Sequence, residues 1–404
     1  MTQNKSQREL EQAQQNLEYQ TDELRVVVAD IVEFNNSKNE NLEDRMVELE
    51  NLVTTYGGVV IVRHVQHKTK VDYNTYIGEG RLDEIIEEMR ESGANVLILG
   101  NILKPSQIYK LNEKLKPIWA KAWDRVDLIL KIFEKNALSR ESKLQIQLAA
   151  IKHMGPRIYD MGMELGKQSG KGRGETNTEI MKRHLQKQIQ HIKKELDHFS
   201  KVRAQHRQAR SNKGLSTVWV VGYTNAGKST LTNILTHKWV LAEDKLFATL
   251  GTSVGKMWLA YPAPVPNDQG EELGTGTYKN WKPWRDILIN DTIGFIRELP
   301  PKLIEAFTST LEDSIESELL LHVIDASDPK MAEKIQVVDD ILESIGASQQ
   351  KLYIFNKLDA LPGGWNAAEI AQLSVAYEHL NPIFISAHAN TWIEALKKLI
   401  WQKI

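Results

Sequence analysis

The chain has 404 residues, too many for one ordinary core at a prior of roughly 100–200 residues per domain, and its 41% hydrophobic and 26% charged residues are ordinary globular values. It contains no cysteine, which excludes disulfides, thiolate metal sites and a cysteine nucleophile; a polar N-terminus and the lack of any apolar run of roughly 18–20 residues speak against a signal peptide or membrane span, so a cytoplasmic location is expected. The net charge of −2 hides an asymmetry: Ser139 to Gly214 carries 17 Lys and Arg against 7 Asp and Glu, and the rest carries 34 against 46, a basic block within an acidic protein that points to a polyanionic partner.

Residues 1 to about 40 read as a polar, partly helical arm whose apolar patch is Leu24-Arg25-Val26-Val27-Val28. From Asn41 the spacing Leu42, Met46, Leu49, Leu52, Val53 predicts a helix, and Val59 to Val62, after Gly57-Gly58, a strand. A helix from Leu82 to about Ser92, a buried strand from Asn95 to Leu99, a helix after Pro105 and a strand from Pro117 to Trp123 follow. Strands separated by single helices predict a small parallel α/β domain over 41–125.

Over 126–212 the period is helical. Ile129, Ile132 and Phe133 begin a stripe that Leu144, Leu148 and Ile151 continue, and Leu185, Ile189, Ile192, Leu196 and Phe199 alternate four- and three-residue steps. Such a seam predicts two long helices in an antiparallel hairpin. Gly155-Pro156 and the glycine-rich stretch Gly166 to Gly174 are assigned to the loop at its tip. From Leu215 the strands Thr217–Val221, Ile287–Asn290, Leu319–Ile324, Leu352–Phe355 and Pro382–Ile385 alternate with helices, so 213–404 is expected to be a doubly wound α/β domain.

The chemistry lies at the ends of those strands. Gly222-Tyr223-Thr224-Asn225-Ala226-Gly227-Lys228-Ser229, with Thr230 opening a helix, fits GxxxxGK[ST]. Its glycines let backbone N–H groups wrap phosphates, Lys228 neutralises β/γ oxygens, and the Ser229 hydroxyl suits one position on Mg²⁺. Asp291-Thr292-Ile293-Gly294 follows a strand, placing Asp291 to hold a Mg²⁺-bound water and the Gly294 N–H to meet a γ-phosphate. Asn356-Lys357-Leu358-Asp359 follows another. The Asp359 carboxylate accepts from guanine N1–H and N2–H, a pair adenine lacks, while Asn356 braces the site and Lys357 lies along the base. Ser386-Ala387-His388 completes the pocket through backbone N–H contact to guanine O6.

Between the phosphate loop and Asp291, the segment Phe247-Ala248-Thr249-Leu250-Gly251 is the candidate sensor of the γ-phosphate. Thr249 is its candidate Mg²⁺ ligand beside Ser229, and Thr252 is the alternative. Phe295 stands where many small GTPases carry a water-orienting glutamine, and a phenyl ring cannot do that. Hydrolysis is therefore expected to be slow without a partner. Asn225 fits either a K⁺-using phosphate loop or a loop-stabilising hydrogen bond.

GYTNAGKST (222–230), LFATL (246–250), DTIGF (291–295) and NKLD (356–359) together resemble the HflX GTPases, relatives of the Obg group. The likeness extends to Tyr76-Ile77-Gly78-Glu79-Gly80-Arg81, Pro105-Ser106-Gln107, Asp124-Arg125 and Leu144-Gln145-Ile146-Gln147-Leu148-Ala149, and covers roughly residues 45–404. It implies an N-terminal α/β domain, a helical hairpin and a G domain, GTP/GDP as ligand, and a monomer that binds the large ribosomal subunit and its rRNA, not DNA, to split or rescue ribosomes under stress. The chain departs from the family at Gly172 to Arg183, where the proline of the glycine-rich signature is missing. It departs again at Gly251-Thr252-Ser253-Val254-Gly255, and in the long Pro/Gly/Trp-rich connection Tyr261 to Trp284. That connection reads as an extended hairpin or loop, either a partner-binding element or a solvated insertion.

Lys171, Arg173, Lys182, Arg183, Lys187, Lys193, Lys194, Lys201, Arg203, Arg207 and Arg210 surround the apolar seam and occupy the exposed hairpin faces, which suits RNA phosphates. A solvated charged face and an anionic membrane surface are the other readings. His184, His191, His198 and His206 lack carboxylate companions in the sequence pattern and are not expected to bind metal.

Overall fold

In the computed structural model the described residues are 24–33, 42–167, 177–212, 214–236, 253–260, 284–291, 294–297, 303, 315, 317–361 and 366–404. The chain divides into two compact units, Met1–Ile129 and Leu130–Ile404. The first holds a four-stranded parallel sheet in the order β2-β1-β3-β4, built from β1 (Leu24–Glu33), β2 (Gly58–Lys68), β3 (Val96–Leu99) and β4 (Lys121–Asp124). Helices α1 (Leu42–Tyr56), α2 (Glu79–Ser92) and α3 (Pro105–Leu115) alternate with the strands.

The expected arm is corrected here, because its residues 24–33 form β1, an inner strand paired with β2 on one side and β3 on the other. Val27, Ala29 and Ile31 enter one core with Leu82, Ile85 and Leu111, while Val26 and Val28 on the opposite pleat are equally buried. Helical cover on both faces demands such doubly apolar strands. The pattern was hidden by Asp30, 2% exposed, whose carboxylate is neutralised by the Arg45 guanidinium at 2.9 and 3.1 Å. Side-chain amides prolong the ladder: Asn95 Oδ1 accepts the Arg25 N–H, and Asn101 accepts from the Ile31 N–H and donates to the Ile31 carbonyl. The strand expected from Pro117 is shorter, since Lys116–Ile118 is a 3₁₀ turn and β4 starts at Lys121.

Helix α4 (Arg125–Asn136) carries Ile129, Ile132 and Phe133, and residues 137–139 separate it from α5 (Arg140–Lys167), so the predicted stripe spans two helices rather than one. Helices α5 and α6 (Asn177–Asn212) pair antiparallel, because Arg140 and Glu141 at the start of one meet Glu195 and Arg203 far along the other. Leu185 and Ile192 lie buried in the seam, while Lys182, Arg183, Lys187, Lys193, Lys194 and Lys201 are exposed. Arg203 is an exception among the expected exposed cations, being half-buried against Glu141. Contrary to the reading of Gly155-Pro156 as loop, α5 runs through both residues. A proline forfeits one backbone donor, and the turns on both sides hold the helix across that gap. His191 has a carboxylate companion after all, Glu195 Oε1 at 3.2 Å. Gly166, the first residue of the glycine-rich stretch read as loop, also falls within α5, and residues 168–176 and 1–23 lie outside the described residues.

The second sheet has the order β10-β9-β8-β5-β7-β6, with β5 (Ser216–Gly222), β6 (Ser253–Ala260), β7 (Trp284–Asp291), β8 (Leu319–Asp325), β9 (Gln350–Asn356) and β10 (Ile383–Phe384). Only β6 runs antiparallel, paired to β7 from Ser253↔Asp291 to Ala260↔Trp284. The two are therefore hairpin strands, and their connection 261–283 lies outside the described residues. Helices α7 (Lys228–Thr236) and α10 (Ile393–Lys403) share one core with the sheet. On the other cluster, α8 (Met331–Ser344) and α9 (Ala367–Ala376) pack with Phe355 and Leu358. Strand order reverses between β5 and β8, and the crevice at that reversal is where open α/β sheets bind ligands. Among the described residues no helix is long and apolar enough to cross a membrane.

Val27→Asp places an unpaired carboxylate at a fully buried position of β1, at a cost of several kcal/mol. Hydrogen exchange is expected to lose protection through β1, β2 and β3; retained protection would mean that β1 does not hold this sheet.

Candidate functional site

Strand β5 delivers Gly222 to the reversal point with φ 151°, and a Cβ there would stand 2.3 Å from the Val323 carbonyl oxygen. Only glycine fits so close to the neighbouring strand. Tyr223, Thr224 and Ala226 are buried, and Asn225 is exposed in a left-handed conformation, φ 61°, that asparagine tolerates well. Among the described residues its side chain has no hydrogen-bond partner. Gly227 has φ 91°, and a Cβ would come 2.3 Å from Asn356 Nδ2. Lys228, Ser229 and Thr230 then form the first turn of α7, whose unpaired N–H groups and dipole favour an anion.

Lys228 is buried and donates from Nζ to the Tyr223 carbonyl at 2.7 Å, closing the loop around its own ammonium. Burial pushes its pKa from the ordinary 10.5 down to about 8, with Asp291 opposing the shift and Lys357 adding to it. At the end of β7, Asp291 is fully buried and its Oδ2 accepts the Ser229 hydroxyl at 2.7 Å. Gly294 packs against Thr224, and a Cβ on it would lie 3.0 Å from Lys228 Nζ.

Phe295 pins this segment to the phosphate loop. Its N–H donates to the Gly222 carbonyl at 3.2 Å and its carbonyl accepts the Thr224 N–H at 2.8 Å, while its side chain is buried. The Arg297 N–H donates to the Tyr223 hydroxyl at 2.9 Å, and Arg297 pairs with Glu333 on α8. Lys334, one residue on, places Nζ 4.8 Å from the centre of the Tyr223 ring. Tyr223 therefore joins the phosphate loop, the segment after Asp291 and α8.

Asn356, 2% exposed at the end of β9, donates from Nδ2 to the Ala226 carbonyl at 2.9 Å and accepts the Ala387 N–H at Oδ1, also at 2.9 Å. Lys357 takes φ 64° and pairs with Asp325 Oδ2 at 2.8 Å, and Leu358 is buried. The Ser386 hydroxyl donates to Asp359 Oδ1 and accepts the Ala389 N–H at 3.0 Å. Because Asn356 occupies the Ala387 amide, the exposed His388 is left as the residue of this loop whose amide has no acceptor among the described residues.

The structure thus gathers residues 222–230, Asp291, Gly294, 356–359 and 386–388 at one end of the sheet. Phe247, Ala248, Thr249, Leu250, Gly251, Thr252, Thr292 and Ile293 lie outside the described residues. Sequence reasoning missed Asp325, which orients Lys357, although its signal matches that of Asp291: a carboxylate ending an apolar strand.

The fold and these loops define a P-loop domain of the guanine-nucleotide-binding class. Family models match in succession: "GTP-binding GTPase N-terminal" over residues 43–134, "GTP-binding GTPase Middle Region" over 136–210 and "50S ribosome-binding GTPase" over 217–357. A GTPase HflX from Caldanaerobacter subterraneus is 38% identical over 80% of this chain and 72% of its own. Those from Escherichia coli (36%, covering 80% and 71%) and Methanocaldococcus jannaschii (33%, covering 91% and 83%) are similar relatives. The crystal structure of SsGBP with GDP shares the fold, with a TM-score of 0.51 and 24% identity over 94% of this chain and 98% of that one. The chain belongs to the HflX GTPase family and is a GTP-binding GTPase.

Two outcomes are expected. Bound phosphate favours the charged form of Lys228, so the neutral fraction present above pH 8 takes up a proton from solvent on binding, and nucleotide affinity holds below about pH 8 and falls as pH rises above it. Calorimetry in buffers of different ionisation enthalpy should register more proton uptake on nucleotide binding above pH 8 than at pH 7, and equal uptake at both would count against the lowered pKa. Asn356→Ala strands the buried Ala226 carbonyl and Ala387 amide, each worth about 1–3 kcal/mol, so melting temperature and nucleotide affinity should fall together. Unchanged affinity would show that the two loops hold their positions without it.

Proposed function

We propose that the chain is a GTP-controlled switch, a cytoplasmic monomer that associates with the large ribosomal subunit and its rRNA and serves ribosome splitting, rescue or biogenesis under stress. The observation that carries the reading is Asn356, one side chain tying the phosphate loop to the loops placed to read a base. Ribosome association is supported by the "50S ribosome-binding GTPase" match and by the exposed lysines of α6, suited to phosphates.

In this reading residues 222–230 wrap the β- and γ-phosphates, and Lys228 exchanges the Tyr223 carbonyl for phosphate oxygen. Asp359 accepts guanine N1–H and N2–H, Lys357 lies along the base under the hold of Asp325, and the His388 amide donates to O6. The Ser229 hydroxyl and Asp291 carboxylate, 2.7 Å apart, are hard oxygen donors that fit Mg²⁺, Ser229 directly and Asp291 through water. When bound, Mg²⁺ would neutralise phosphate charge as hydrolysis proceeds. Thr249 remains the proposed further ligand. The exposed Asn225 side chain at this point of the phosphate loop leaves K⁺ as a second candidate cation beside the phosphates.

Phe295 commits both backbone groups and its ring to packing, so it cannot orient water. Water positioning then falls to another group or to a partner, and the hydrolytic step is slow until the partner docks.

Large ribosomal subunits are expected to raise GTP hydrolysis by on the order of tenfold or more, and a non-hydrolysable GTP analogue should carry the protein to the large-subunit peak of a gradient, with Lys228→Ala abolishing co-migration. Binding without stimulation would instead favour a nucleotide-gated scaffold with little catalysis. Asp359→Asn, which loses two charge-assisted bonds worth about 1.5–3 kcal/mol each, should weaken GTP by at least about a hundredfold.

A further inference from the structure

In the first unit, the connection between β2 and α2 is tied down more firmly than a solvent-facing turn requires. Asp72 and Tyr76 exchange N–H···O bonds of 3.1 Å and close a five-residue loop. Inside it, Asp72 Oδ1 accepts the Asn74 and Thr75 amides at 2.8 and 2.9 Å. From outside, Gln107 on α3, only 3% exposed, donates Nε2 to the Asp72 and Tyr73 carbonyls at 3.2 and 3.3 Å. Its Oε1 accepts the Lys104 N–H at 2.9 Å. Lys110, one helical turn further on, bonds the Asn74 side chain.

At the apex of this braced loop the Tyr73 side chain is 80% exposed. Its ring is not the product of core packing, and a lone exposed ring would need no explanation. Its company does: Lys104 Nζ stands 5.7 Å from the ring centre, Lys110 adjoins on the next residue, and Lys70 is exposed three residues before. Asp72, the acidic group within the loop, has its Oδ1 turned inward by the two amides. A flat ring on a fixed backbone, bordered by ammonium groups, matches what an unpaired nucleotide offers: one π-face with a phosphate on either side. An acidic peptide would use the lysines and leave the ring without a partner.

We propose that Tyr73, with Lys70, Lys104 and Lys110, is a stacking platform for an unpaired RNA nucleotide, the base against the ring and the flanking phosphates against the lysines. The identity of that RNA as ribosomal rests on the function proposed above; the platform itself does not.

The full-length protein is crosslinked to a single-stranded RNA bearing 4-thiouridine, and the products are mapped by mass spectrometry. In parallel, affinity for the same RNA is measured against salt, and sedimentation with large subunits is followed for the same variants. Crosslinks are expected in the tryptic peptide Val71 to Arg81. Tyr73→Ala should lose them and weaken RNA binding about tenfold, Tyr73→Trp should retain both, and Lys104→Ala with Lys110→Ala should lower the salt slope by about 0.7 for each phosphate no longer neutralised. Equal RNA affinity for Tyr73→Ala and wild type, crosslinks confined to residues 140–212, or competition by polyglutamate as strong as by RNA would each overturn the platform. Those results leave the ribosomal reading standing if wild type still sediments with large subunits. If wild type fails to sediment while the Tyr73 effects appear, the platform stands and the ribosomal partner falls.

Discussion

Asn356 joins three stretches of chain with one amide. Its Nδ2 holds the Ala226 carbonyl in the phosphate loop, its Oδ1 holds the Ala387 amide beyond β10, and its own backbone leads into Lys357 and Asp359. The function needs a donor and an acceptor on the same short side chain, which asparagine supplies and aspartate does not. The same pairing explains Gly227, since any Cβ there would collide with the amide nitrogen. Phosphate and base chemistry are therefore positioned by one buried polar group, in surroundings where leaving it half-satisfied is costly.

A second set of contacts ties the segment after Asp291 to the phosphate loop and to α8. The pairing of Phe295 with Gly222 and Thr224, and of the Arg297 amide with the Tyr223 hydroxyl, makes the segment after Asp291 an extension of the phosphate loop. Arg297 and Lys334 carry that linkage to α8 through Glu333 and the Tyr223 ring. An enzyme with a glutamine at position 295 could keep that residue free for water. Here the position serves the linkage.

The first unit is held by similar means. Asp30 and Arg45 neutralise each other under α1, Asn95 and Asn101 complete ladders that short β3 leaves open, and Gln107 fixes the Tyr73 loop. Polar groups inside this small domain hold backbone in place, and at the Tyr73 loop they leave the ring outward.

Residues that are contiguous and answer to local backbone demands are legible directly. A glycine-rich turn after an apolar strand, a carboxylate ending a strand and an Asn-Lys-x-Asp turn each announce themselves within a few positions, so the doubly wound sheet and residues 222–230, Asp291 and 356–359 can be read from the sequence by itself. Strand β1 cannot, because Asp30 breaks its apolar run until Arg45, 15 positions away, neutralises it. Nor does local propensity foresee α5 continuing through Gly155-Pro156, where the helix spans a missing donor. The reach of Asn356 over 130 positions to Ala226, the grip of Asp325 on Lys357 and the release of the His388 amide all depend on which strands lie side by side. Local propensity sets what each segment can be, and pairing between distant strands sets which polar groups meet.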